Sequence, residues 1–176
     1  MAKPFDLEES RFTQADVLRM IPALKAKTLQ NWQSRGILDP DNPAPGKGKR
    51  VLYTPVGVVT LAFMADVTRY GVPPKAASEM AYHVTDRAFE RFESEPFDIM
   101  DDYEGSRWIR MTPETIGSFK RANIVTHDGA DYYLRYVNNP EDFDDLIGNE
   151  VFIGVNVDVL IARAINRIFL LEAGQI

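Results

Sequence analysis

Two short helices are predicted at the beginning of the chain by the spacing of its apolar residues. Residues 1–11 are mostly polar and predict a loose arm. Thr13 is a suitable N-cap for a helix over 14–21. A second helix is predicted over 25–34, with Gly36 as its stop. In both helices the apolar side chains recur three or four positions apart, which places them on one buried face.

A two-stranded ribbon and two further helices are predicted next. Residues 37–38 and 51–53 are short apolar segments separated by a stretch rich in Pro and Gly, so we expect them to pair as an antiparallel wing. Thr54 followed by Pro55 predicts the start of a third helix. A fourth helix is expected to begin at Pro73-Pro74.

The second half of the chain has a different pattern, acidic and rich in short apolar segments. Asp128-Gly129 predicts a hairpin turn between two of these segments. Asn156 is a suitable N-cap for a terminal helix over 157–171. The predicted fold class is α+β: a winged helix-turn-helix of four helices and a two-stranded wing, followed by a β-rich region and a terminal helix. We expect two domains, 12–93 and 106–176.

The charge of the chain is divided unevenly between its two halves. The whole sequence has a formal net charge of -6. Residues 10–80 contain ten Lys and Arg against five Asp and Glu, whereas residues 86–176 contain nine against eighteen. A basic segment joined to an acidic one is typical of proteins that bind nucleic acid through one half only. The absence of Cys excludes disulfides and thiolate metal sites and fits a reducing compartment.

The order of these features resembles the MerR family of winged-helix transcription regulators. The resemblance covers about residues 12–85 and depends on an ordered set of positions: Thr28, Leu29, Trp32, Gly36, Ile37, Leu38, Pro40, Tyr53, Thr54 and Gly71-Val72-Pro73. Gln30 and Gln33 stand where that family usually has Arg and Glu, and Val51 stands where it has an Arg in the wing. The resemblance implies a head that reads one DNA groove with its second helix and holds the neighbouring backbone with its wing.

Most of the candidate DNA contacts lie on the second helix and in the wing. Asn and Gln side chains can read an adenine edge, and Lys can reach guanine or phosphate. We expect the wing cations to contact phosphates, which gives affinity without sequence choice. The predicted contact residues are Thr13, Gln14, Lys25, Lys27, Thr28, Gln30, Asn31, Arg35, Lys47, Lys49, Arg50 and Tyr53.

Several of these residues also have a simpler interpretation. The polar helix face could be only a solvated surface, and Arg35 could stabilise the C-terminal end of its helix instead of contacting DNA. The ring of Tyr53 can pack while its hydroxyl touches a phosphate. For Trp32, the spacing from Leu29 favours a place in the core over stacking on a base.

Nothing in the residue pattern points to enzymatic chemistry. His127, Asp128 and Asp131 are better explained by a hairpin turn than by a metal site. The acidic run at 141–145 lacks the spacing of a calcium loop. The sequence contains no nucleophile elbow, no phosphate loop and no supported pair of carboxylates. We therefore expect no enzymatic activity, no cofactor and no metal.

The terminal helix carries an apolar stripe that suits pairing with a second copy of the chain. Its spacing alternates between four and three residues, as in the seam of a coiled coil. The alternative is that the helix packs across the sheet of its own domain. We assign dimerisation to Val157, Leu160, Ile161, Ala164, Ile168 and Leu171.

These patterns predict a sequence-specific DNA-binding transcription regulator. Its partners would be double-stranded DNA and a second copy of the chain. The aromatic residues of the second half could either form the core of that half or line a pocket for a small-molecule or protein effector. The main alternative is an architectural or excisionase-like DNA-binding protein without promoter regulation; a more remote one is a protein-interaction module. The chain lacks a signal core and any apolar stretch that could span a bilayer, so we expect a cytoplasmic, nucleoid-associated protein.

Overall fold

The computed structural model describes residues 6–38, 51–94, 99–101, 107–109, 122–127, 132–137, 151–155 and 157–176. Side-chain burial is described for residues 6–38, 51–83, 85 and 159–176. The helices within these ranges are α1 (Gln14–Met20), α2 (Ala26–Ser34), α3 (Pro55–Thr68), α4 (Pro74–Ser94) and α5 (Val157–Glu172).

Local hydrogen bonds fix where α1 and α3 begin. At α1, Thr13 Oγ1 accepts from the backbone N–H of Asp16 at 3.3 Å, and the Asp16 carboxylate accepts from the Thr13 N–H at 2.9 Å. This reciprocal pair is a capping box. At α3, Thr54 Oγ1 accepts from the N–H of Gly57 at 2.9 Å, and Pro55 occupies the first helical position. The predicted N-caps Thr13 and Thr54 are confirmed.

A glycine with positive φ ends both α2 and α3. The φ values are 62° at Gly36 and 94° at Gly71. After α2, the Ile37 N–H donates to the carbonyl of Trp32 at 2.9 Å, and the Gly36 N–H donates to the carbonyl of Gln33 at 3.1 Å. This is the Schellman arrangement, which pairs carbonyls at the end of a helix with backbone donors. The predicted stop at Gly36 is confirmed.

One hydrophobic core joins all five described helices. From α2, Leu29 and Trp32 enter it with 0% and 2% of their surface exposed, which confirms the core position predicted for Trp32. Buried residues lie on all sides of α3, so α3 is the central helix. The terminal helix α5 packs against α1, α3 and α4.

Five strands are described by their backbones: β1 (Ile99–Asp101), β2 (Arg107–Ile109), β3 (Ala122–His127), β4 (Tyr132–Val137) and β5 (Val151–Val155). β1 pairs antiparallel with β2. The other three form an antiparallel sheet in the order β4-β3-β5, in which Val125 lies opposite Leu134 on one side and Ile153 on the other.

The wing predicted between residues 37–38 and 51–53 is wrong. Tyr53 instead forms an isolated antiparallel bridge with Phe12: its N–H donates to the Phe12 carbonyl at 2.8 Å, and the Phe12 N–H donates back at 3.1 Å. The carbonyl of Ile37 accepts from Ser78 Oγ at 2.7 Å. Because the backbone groups of Tyr53 and Ile37 are bonded to other partners, the two segments do not pair with each other.

The predicted fold class, α+β with a two-stranded wing and a β-rich second region, is wrong for the body of the protein. The part whose packing is described is helical. Every core residue in that part lies on one of the five helices or in a segment adjoining one. The short apolar segments and the Asp128-Gly129 turn that favoured strands did not show that helices would form the described core.

The described residues before α1 do not form the predicted loose arm. The carbonyl of Leu7 accepts from the N–H of Val56 at 3.3 Å. Arg11 forms an ion pair with Glu172 near the end of α5, with 2.9 Å between Nη2 and Oε1. The segment 6–11 is therefore attached to both α3 and α5.

The terminal helix is also attached directly to α1. Arg167 Nη2 donates to the carbonyl of Arg19, in the last turn of α1, at 2.8 Å. A cation at this position compensates the partial negative charge of a helix C-terminus. The described helix of the predicted domain 106–176 thus shares one core with the predicted domain 12–93.

Candidate nucleic-acid interface

The outward face of α2 is polar and lacks acidic residues. Lys27, Gln30, Asn31 and Ser34 are exposed and follow the spacing of one helix face. The buried Leu29 and Trp32 lie on the opposite face. Amide side chains on such a face can form paired hydrogen bonds with a base edge, and an ammonium group can reach guanine or phosphate.

The N-terminal end of α2 is electropositive. Lys25 is the N-cap of α2 and makes no side-chain capping hydrogen bond, in contrast to Thr13 at α1 and Thr54 at α3. The first turn of a helix carries a partial positive charge. The exposed ammonium groups of Lys25 and Lys27 add two full charges at the same end. This end of α2 therefore attracts anions such as phosphate.

The turn between α1 and α2 is held by the core. Ile21 and Leu24 are buried, with 6% and 4% of their surface exposed. The N–H of Leu24 donates to the carbonyl of Ile21 at 2.9 Å. Because both ends of this turn are packed, the direction of α2 relative to α1 is set by the interior of the protein.

Tyr53 belongs to the interior, which corrects its prediction as a phosphate contact. Only 5% of its surface is exposed, and its hydroxyl accepts a hydrogen bond from Gln33 Nε2. Burial raises the pKa of the Tyr53 phenol above its ordinary value of 10.0. The ring and the hydroxyl are therefore both engaged inside the head.

The remaining predicted contacts of the head differ in accessibility. The hydroxyl of Thr13 is bonded to the Asp16 carboxylate, with 2.7 Å between Oγ1 and Oδ2. Gln14 and Thr28 are half-buried. Arg35 is exposed and forms the C-cap of α2, a position that also fits its alternative role at the helix end.

The predicted wing cations Lys47, Lys49 and Arg50 lie outside the described residues. The two ends of their segment are described. It departs after Ile37, whose carbonyl is held by Ser78, and it returns to Tyr53, whose hydroxyl is held by Gln33. Both ends are therefore fastened beside the C-terminal end of α2.

Most side chains assigned to a dimer seam are buried within their own chain. The exposed fractions are 6%, 2%, 4% and 0% for Leu160, Ile161, Ala164 and Ile168. Leu171 is half-buried, and the side chain of Val157 lies outside the described residues. Because this face of α5 packs in the core with α1 and α3, it is not available to a second copy.

Two residues that hold the interface together were missed by the sequence reasoning. Gln33 bonds to a partner 20 positions later, and Ser78 bonds to one 41 positions earlier. No periodicity or short motif connects residues that far apart. For Gln33, the only available signal was its position as a polar residue at the edge of the buried stripe of α2.

No protein-family model matches the chain, and no curated protein matches it. Among the described residues, the helices are all too short or too polar to cross a membrane.

Proposed function

We propose that this protein binds double-stranded DNA through the outward face of α2 and regulates transcription from the site it binds. The observation that carries the proposal is the acid-free face of Lys27, Gln30 and Asn31, exposed on a helix whose other face is fixed in the core. A helix with its side chains is about 10–12 Å across, and the major groove is about 12 Å wide. Such a face has the dimensions to enter the groove as a reading surface.

Two kinds of contact follow from the positions of these side chains. Gln30 and Asn31 carry the donors and acceptors that distinguish base pairs, so we assign sequence reading to them. Lys25 and the positive end of α2 are suited to a phosphate, which fixes the protein on the duplex. Lys47, Lys49 and Arg50 belong to a segment that begins and ends beside α2, and we assign them to the backbone as well.

The charge distribution supports the same face. Residues 10–80 carry an excess of Lys and Arg, whereas residues 86–176 carry twice as many acids as bases. The acidic part would repel DNA and favour an approach through the head. A polar helix face that was merely solvated would not need this excess of cations around it.

A salt titration of the full-length protein tests the DNA contact. Binding to a fluorescent duplex should weaken linearly on a log–log plot, with a slope of about 0.9 for each phosphate contacted. Replacing Lys47 and Lys49 together by Ala should lower the slope by about one unit per lost contact and weaken all duplexes alike. Lys75→Ala and Arg163→Ala, which remove exposed cations elsewhere, are the controls. A protein that shows no salt-dependent binding overturns the proposal.

Selection from a random duplex library tests sequence reading. Against an enriched site and a mismatched version of it, Asn31→Ala should reduce discrimination by about 1–3 kcal/mol. An equal loss on both duplexes would make Asn31 a backbone contact. Failure to enrich any site, with salt-dependent binding retained, would favour an architectural protein over a regulator. Placing the enriched site in a promoter with a reporter gene then tests regulation directly.

A further inference from the structure

We propose that Gln33 is a positioning residue of this interface, which acts through the hydroxyl of Tyr53 to fix the rotation of α2 about its own axis. The inference rests on the proposed function, because it concerns how the same face of α2 is presented to DNA. It assigns a role to a side chain that does not touch the nucleic acid.

The hydrogen bond joins α2 to a residue that is itself held on several sides. Gln33 is half-buried in the last turn of α2, and its Nε2 donates to the hydroxyl of Tyr53. Tyr53 is anchored by its buried ring and by its backbone. Its N–H and carbonyl both bond to Phe12, and its carbonyl accepts from Arg11 as well, at 3.1 Å.

Tyr53 links the starts of two other helices. Phe12 precedes the N-cap of α1, and Tyr53 itself precedes the N-cap of α3. With 4% of its surface exposed, Phe12 is part of the core. Through one hydroxyl group, Gln33 is therefore connected to the start of α1 and to the start of α3.

This connection adds a restraint on one motion of α2, which is a roll about its own axis. Leu29 and Trp32 attach the helix along one line, and a helix attached along a line can roll about it. Gln33 lies about 100° around the helix from Trp32, so its hydrogen bond acts to one side of that line. A roll of about 20° moves an atom about 6 Å from the axis by about 2 Å, which is more than a hydrogen bond tolerates.

The expected phenotype follows from the difference between the two kinds of DNA contact. Paired hydrogen bonds from Gln30 and Asn31 to base edges need exact alignment, whereas attraction between ammonium groups and phosphates does not. Loss of the Gln33–Tyr53 bond should therefore reduce discrimination between the selected site and its mismatched version. The salt slope should stay unchanged.

The experiment compares Tyr53→Phe, Gln33→Met and the double variant of the full chain on those two duplexes. Each single change should reduce the ratio of affinities about fivefold, the equivalent of one hydrogen bond, and the double variant should lose no more than a single one. Gln33→Glu removes the Nε2 donor but offers a carboxylate oxygen to which the Tyr53 hydroxyl can donate. This variant should restore most of the ratio of affinities, while its added negative charge weakens binding to both duplexes alike. Tyr70→Phe and Tyr82→Phe, at exposed tyrosines, should leave it unchanged.

Two results overturn the inference while leaving the proposed function standing. In the first, Tyr53→Phe and Gln33→Met distinguish the selected site from its mismatched version as well as the unchanged protein does, and the two variants differ from it only in lower unfolding midpoints. The other is a pair of losses that add up in the double variant. If the unchanged protein shows no salt-dependent DNA binding, the proposed function fails and this inference fails with it.

Discussion

Replacing Ile168 by Ala should make the N-terminal helices unfold more easily, although Ile168 lies 134 residues or more from every residue of α2. Its side chain is fully buried in α5, which packs against α1, α3 and α4. Truncating a buried Ile to Ala costs about 2–5 kcal/mol, because it removes favourable transfer energy and leaves a cavity. A domain is stable by only about 5–15 kcal/mol, so the loss is a large part of the total.

Trp32 can report this loss from inside the head. The sequence has two tryptophans, so a Trp108→Phe background leaves Trp32, buried against the core, as the single fluorophore. In urea, Ile168→Ala should lower the midpoint of the Trp32 transition, whereas Arg163→Ala, at an exposed position of the same helix, should change stability by less than about 0.5 kcal/mol. Should Ile168→Ala not fold, Ile168→Val gives a smaller loss of about 0.5–1.5 kcal/mol. A Trp32 midpoint that neither Ile168 variant moves would refute the shared core.

Three further predictions concern helix ends. Gly36→Ala should destabilise the protein by about 1 kcal/mol, because φ is 62° at Gly36. Gly57→Ala should be neutral or stabilising, because Gly57 lies inside α3 and the new Cβ would be 3.4 Å from the nearest side-chain atom. Thermal melts in which both variants change the stability in the same direction would contradict this. Thr13→Ala should cost about 1 kcal/mol by removing the cap of α1. The hydrogen bond from the Thr13 hydroxyl is the main cause of a lowered pKa at Asp16, so the stability that this carboxylate contributes is present above about pH 4 and is lost as the pH falls through the folded pKa. Asp16→Asn should flatten that acid limb of the stability curve, and an unchanged limb would argue against the role of Asp16.

The ends of the helices could be predicted from the sequence because their causes are local. Thr54 with Pro55, and Gly36 with its positive φ, act through hydrogen bonds between residues no more than five positions apart. At α1, Asp16 completes the capping box although Glu or Gln is preferred at that position. These signals depend on residue chemistry alone, and the structure confirms them at Thr13, Thr54 and Gly36, whereas the predicted N-cap Asn156 lies outside the described residues.

The partners of the apolar faces could not be predicted, because periodicity shows which face is buried and not what covers it. The spacing of α5 fits a coiled-coil seam and a core-facing helix equally well, and α5 covers α3 in its own chain. The same limit explains Tyr53: an apolar segment next to a loop suggested a strand of a wing, while its backbone pairs with Phe12. The exposed polar face of α2 was predicted more fully, since helix spacing separates Lys27, Gln30 and Asn31 from the buried residues.

The burial of α5 also determines what a dimer of this protein would require. Leu160, Ile161 and Ile168 would have to leave the core before they could pair with a second copy. Exposing a large aliphatic side chain costs about 1.5–3 kcal/mol, so freeing these three alone would cost roughly as much as the stability of a marginal domain. A coiled coil about two heptads long would bury at most the same apolar area. Its formation would also have to compensate for the apolar surface of α3 that becomes exposed when α5 leaves. Two heads bound to a two-fold DNA site would therefore have to meet through a surface other than this face of α5.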